Sequence, residues 1–183
     1  MSNKKIFTLT FCMTTCVALL VIYLRRAAPS PDLRWIGNSV FISSQLKPEN
    51  LSYVRRRGIN AVVDLRPDGE AADEPSHTEM EAAARQSGMQ FSYVPIPHES
   101  IPPDAVEALA IALRDGTQQS VLYCRSGRRA VRAFALVQAS RPGGPALAEI
   151  LSLVQNAGFS AEDLRDNINQ RIASRTALAE SKK

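Results

Sequence analysis

Cysteine is scarce in this 183-residue chain: there are three, and two of them, Cys12 and Cys16, lie in an apolar N-terminal run. Cys124 stands alone in the remainder, so no disulfide can form within that part. Histidine is scarcer still, with only His77 and His98. Two histidines and one cysteine far apart make no zinc pattern, and no metal or cofactor is expected. Neither a Gly-x-Ser-x-Gly elbow nor a nucleotide-binding glycine fingerprint occurs. The first 26 residues lack any acid; they hold Lys4, Lys5, Arg25 and Arg26, four of the 22 basic residues. That leaves 18 of each sign beyond them, so the net charge of +4 belongs to the N-terminus and gives no support to a nucleic-acid partner.

From Ile6 to Leu24 no residue is charged. As a helix this run would extend roughly 28 Å, close to the ~30 Å hydrocarbon core of a bilayer. A cleaved signal peptide has a shorter apolar region and a small-residue cleavage site, whereas Arg25 and Arg26 directly close this one. The expectation is a single-pass membrane anchor over 1–26 and an extended Pro-containing linker over 27–33. Basic residues flank both ends, so the side of the membrane stays open. Cys12 and Cys16, four apart on one helix face, read as packing residues of the anchor, with acylation sites or a thiol pair as the alternatives.

Beyond the linker, strand-length apolar runs alternate with helix-period segments. Strands are expected at 40–42, 59–65, 91–94 and 120–123. Helices are expected from Pro48 to Gly58, before Gly88, from Pro103 to Gly116, over 130–139, from Pro145, and from Ser160 onward. The alternation implies an α/β domain over 34–173, a parallel sheet of four to five strands flanked by helices, with residues 174–183 a frayed tail.

The chemistry concentrates at 121–130, Val-Leu-Tyr-Cys-Arg-Ser-Gly-Arg-Arg-Ala. A buried strand delivers Cys124 into a tight turn that opens a helix, at the strand end where parallel sheets bind ligands. The turn's amides, through Arg125, Ser126, Gly127 and Arg128, and the positive end of the helix make an anion cradle. Arg129 can offer a bidentate fork to an oxyanion. The same surroundings favour the thiolate, the reactive form of Cys124. Arg125, Arg128 and Arg132 either form a basic rim that gathers anionic substrates or are simply solvated or paired with the acidic stretch at 68–81.

Four stretches carry a resemblance: Val-Phe-Ile-Ser-Ser-Gln at 40–45, Gly-Ile-Asn-Ala-Val-Val-Asp-Leu-Arg-Pro-Asp-Gly-Glu at 58–70, Tyr-Val-Pro-Ile-Pro at 93–97 and Cys-Arg-Ser-Gly-Arg-Arg at 124–129. Together they resemble the phosphatase-like domain of beta-lactamase hydrolase-like proteins, a branch of the cysteine-phosphatase fold that borders on rhodanese-type sulfurtransferases. The resemblance implies Cys124 as nucleophile and Arg129 as anion-binding arginine. It also exposes departures. Four residues separate Cys124 from Arg129, as in rhodaneses, where cysteine phosphatases place five; Tyr123 replaces the usual His, and Ala130 the usual Ser or Thr. Related phosphatases take a general acid from a loop that aligns with His98 and Glu99.

Three readings follow. The first is transfer of sulfane sulfur through a Cys124 persulfide to a thiol acceptor. The second is a phosphatase acting on a phosphate ester through a Cys124 phosphocysteine, with His98 or Glu99 as acid. The third is a catalytically weak anion-sensing or scaffold module at the membrane. All three take a small anionic ligand. Arg66 and Glu70 are expected to brace the open end of the sheet.

Overall fold

The structure is a computed structural model, and it describes residues 30–114, 116 and 118–180. The expected anchor at 1–26 lies outside the described residues. Among those described, no helix is long and apolar enough to cross a membrane.

Five strands, β1 (Arg34–Gly37), β2 (Val40–Ser43), β3 (Ala61–Asp64), β4 (Gln90–Tyr93) and β5 (Ser120–Tyr123), form one sheet in the order β1-β2-β5-β3-β4. β2, β5, β3 and β4 run parallel, and β1 pairs antiparallel with β2. The sheet is therefore mixed, which corrects the expectation of a purely parallel one. β1 escapes a reading of the sequence because it is short and turns into β2 through Asn38 and Ser39, both at positive φ. A two-residue hairpin needs that geometry, but Asn-Ser lacks the glycine that usually signals it.

Six helices cover the sheet: α1 (Leu51–Arg56), α2 (His77–Gln86), α3 (Pro103–Ala112), α4 (Arg128–Ser140), α5 (Leu147–Asn156) and α6 (Arg165–Glu180). Strand alternation sends Val62, Val121 and Tyr123 to one face, where they pack with Leu51 and Val54 of α1 and Met80 and Ala84 of α2. Val63, Leu122 and Cys124 face the other layer, against Val106 and Leu109 of α3, Val131 and Phe134 of α4, Ile150 and Val154 of α5 and Ile168 of α6. α4 is buried along nearly its whole length, as its apolar sequence requires of a central helix. α6 continues past residue 173, where its apolar period fades, and Arg175 donates to the carbonyls of Gln138, Arg141, Gly144 and Pro145.

Register aligns the parallel strands at their C-terminal ends. Ser43 lies opposite Tyr123, Tyr123 opposite Asp64, and Asp64 opposite Tyr93. The loops that leave these four strands consequently open on one edge, around the central strand β5.

Candidate active site

Cys124 follows β5 directly and forms the floor of a cavity of about 160 Å³ lined also by Pro97, His98, Ser100, Ile101, Arg125, Ser126, Arg128, Arg129 and Arg132. Gly127 caps α4 with φ +83°, a left-handed conformation that glycine adopts without steric cost. A Cβ there would stand 2.9 Å from Phe159 Cζ and 3.1 Å from Ile42 Cγ2. Conformation and space thus both demand glycine at the bend. The first α-helical bond of α4 is Val131 N–H to Gly127 O at 3.0 Å, so the amides of Arg128, Arg129 and Ala130 precede the ladder and remain for an anion. Gln45 N–H donates to Arg125 O at 3.3 Å, which ties the loop to the segment after β2. Behind Gly127, the Phe159 ring carries the Arg34 guanidinium 5.1 Å above its centroid.

Arg129 is buried and held by two acceptors. Its Nη1 donates to Leu65 O at 3.2 Å and its Nη2 to Glu70 Oε1 at 2.7 Å. The other oxygen of Glu70 accepts from Arg66 Nε at 2.9 Å. Arg66 also pairs with Glu74 at 2.5 Å and donates through Nη1 to Gln45 Oε1 at 2.7 Å. Burial opposes the charge on Glu70, but the hydrogen bonds from Arg66 and Arg129 outweigh it and hold its carboxyl below the usual range. Two arginines and two carboxylates thus close a compensated network behind the cysteine loop.

Beside this network, burial pushes the Asp64 carboxyl up to about 6, although it accepts from Arg66 N–H at 2.9 Å. Its neighbour is the Tyr123 hydroxyl, buried without a hydrogen-bond partner of acceptable geometry and pushed upward by that burial and by the Asp64 charge. His77 bonds through Nδ1 to Asp68 and stacks on Tyr93, ring centroids 4.2 Å apart. The hydrogen bond from His77 holds the Asp68 carboxyl below the usual range. Among the described residues no cluster of three or more His, Cys, Asp or Glu side chains is placed to hold a metal.

Residues 32–141, more than half of the chain, match the family model of the beta-lactamase hydrolase-like protein, phosphatase-like domain. The chain belongs to this family. A beta-lactamase hydrolase-like protein of Xylella fastidiosa is 32% identical over 101 residues, covering 55% of this chain and 23% of that protein. The chain spans about a quarter of the length of the curated relatives it matches. Among solved structures, a candidate phosphatase from Neisseria meningitidis superposes with TM-score 0.65 at 23% identity, over 75% of this chain and 96% of that one. The core catalytic domain of a PP-IP phosphatase from S. cerevisiae gives 0.58 at 20% identity, over 82% and 96%. These likenesses show a cysteine-phosphatase fold.

Within that phosphatase-like domain, the residues singled out from sequence do not all meet. Cys124, Arg125, Ser126, Arg128, Arg129 and His98 converge on one cavity, with Gly127 at the bend behind them. Glu99 is exposed and does not line it. Glu70 holds Arg129 directly, and Arg66 in turn holds Glu70. Gln45, Glu74 and Phe159 were not singled out. Gln45 had a signal, a polar residue just beyond the C-terminal end of a strand; Phe159, 32 residues beyond Gly127 in the chain, had none.

Proposed function

We propose that the domain is a phosphatase that cleaves phosphate monoesters through a Cys124 phosphocysteine. The observation that carries this reading is the placement of His98 on the wall of the cavity whose floor is Cys124. A proton donor lining the same cavity as the nucleophile serves a departing alkoxide, whereas sulfur transfer to a thiol has less need of one. Membership of a phosphatase-like family and resemblance to phosphatases along most of the chain favour phosphoryl transfer over the sulfane-sulfur transfer expected from the loop length. At about 160 Å³ the cavity has room for roughly five waters, enough for a phosphoryl group and the first atoms of its ester.

In this mechanism the Cys124 thiolate attacks phosphorus as the bond to the ester oxygen breaks, and that oxygen takes a proton from the His98 imidazolium. The loop amides and Arg129 hold the non-bridging oxygens as their charge shifts. Water then attacks the phosphocysteine, its proton passes to His98, and the sulfur–phosphorus bond breaks to give the thiolate and inorganic phosphate. Membrane attachment through residues 1–26 would confine this activity to a bilayer surface.

The deciding experiment incubates the full chain with an aryl phosphate, and separately with thiosulfate plus cyanide, and weighs the Cys124 peptide without reductant. Phosphate release with a phosphoryl adduct on Cys124 is the expected result. A sulfur adduct with thiocyanate formation and no phosphate release would overturn the reading.

A further inference from the structure

We infer that the substrate is a compact, multiply phosphorylated ester, recognised by Arg125 and Arg128 on the rim of the cavity; the inference rests on the phosphatase reading. The other cations at the site are already matched. Arg129 faces Glu70, Arg66 faces Glu70 and Glu74, and Arg132 pairs with Asp163 at 2.5 Å. Arg125 and Arg128 differ: both are exposed, both line the cavity, and among the described residues neither has a carboxylate within ion-pair distance.

No carboxylate lines the cavity to offset them. A single phosphoryl group seated over Cys124 engages the loop amides and Arg129, and the two rim guanidiniums are left for a further anion on the same molecule. Each is a planar fork suited to phosphate oxygens. The walls argue against a large aromatic ester, because no Phe, Tyr or Trp lines the cavity and Pro97 and Ile101 are its aliphatic lining residues. A phosphotyrosine ring would find no aromatic partner there. A free polyphosphorylated metabolite and a polyphosphorylated lipid headgroup present the same chemistry to this rim.

The test uses the full chain carrying Cys124→Ser, titrated by calorimetry at fixed salt with inorganic phosphate, tripolyphosphate and phosphotyrosine, and by sedimentation with vesicles containing phosphatidylinositol bisphosphate. Tripolyphosphate is expected to bind roughly 30-fold more tightly than phosphate. Adding Arg125→Gln and Arg128→Gln should shrink that ratio to about threefold. Vesicle binding that depends on the same two arginines identifies the lipid source, and its absence beside tight tripolyphosphate binding identifies the soluble one. Equal affinity for phosphate and tripolyphosphate with the rim intact, or a preference for phosphotyrosine, overturns the inference. A chain that prefers tripolyphosphate yet releases phosphate from no ester fails as a phosphatase while keeping the recognition argued from the rim.

Discussion

Glu70 accepts from Arg66 on one carboxylate oxygen and from Arg129 on the other, at 2.9 and 2.7 Å, so a single side chain sets an arginine that lines the Cys124 cavity. Glu70→Gln removes the charge and leaves two guanidiniums close together. The expected result is a loss of kcat of roughly ten- to a hundred-fold from misplacement of Arg129, with a stability loss of about 1–3 kcal/mol. Steady-state kinetics separates positioning from loss of fold: the fall should appear in kcat of the folded fraction, with Glu70→Asp recovering part of it.

Cys124→Ser should reduce phosphate release by roughly a thousand-fold or more while leaving the fold and oxyanion binding in place, because the amides and Arg129 do not depend on the thiol. Oxyanion binding by calorimetry beside a phosphate-release assay checks both halves. A serine variant that still turns over would exclude a phosphocysteine.

His98→Ala should cost roughly 10²-fold in kcat for an alkyl phosphate, whose leaving oxygen needs a proton, and less for an aryl phosphate, which leaves more readily. Glu99→Ala should lower neither rate, since Glu99 does not line the cavity. The ratio of the two substrates in each variant is the measurement.

Asp64 predicts a pH-dependent stability. Its folded pKa is raised by burial, from 3.8 to about 6, so the folded chain binds the proton more tightly than the unfolded chain. The resulting contribution is fully present below the unfolded value and is lost as pH rises through the folded one, a change of about 3 kcal/mol between pH ~4 and ~6. Asp64→Asn keeps an acceptor for the Arg66 amide and carries no charge. Denaturant melts across this window should show a flatter profile for the variant and a gain over the parent at pH ~8.

Gly127→Ala should cost about 2–4 kcal/mol, combining a positive φ with overpacking against Phe159 and Ile42. Adding Phe159→Ala relieves the closest contact but leaves the φ penalty. Chemical denaturation of the parent and the two variants should therefore order them, with the double variant recovering less than the whole loss.

Much of this arrangement is legible in the residues themselves. The 120–123 strand, Cys124, the glycine bend and the helix after it follow from apolar run, turn residue and periodicity, and the structure places β5 at those bounds. β1 was hidden because its turn carries Asn38 and Ser39 in place of glycine. The preference for sulfur transfer came from counting residues between Cys124 and Arg129. That count describes the cradle's backbone but not the wall opposite, which His98, Ser100 and Ile101 build from another strand's loop. Glu70 and Arg66 could be read as braces from their place after β3. The further partner of Glu70, Arg129, lies 59 residues away, a separation only the folded sheet closes.

Phe159 links two parts of the molecule far apart in the chain. Its ring lies under Arg34 on the edge strand β1 and stands behind Gly127 at the bend of the cysteine loop. The loop's shape is therefore not a local property of six residues. It is buttressed by one aromatic ring that also carries Arg34 of the edge strand, so a substitution on that edge bears on the bend beside Cys124.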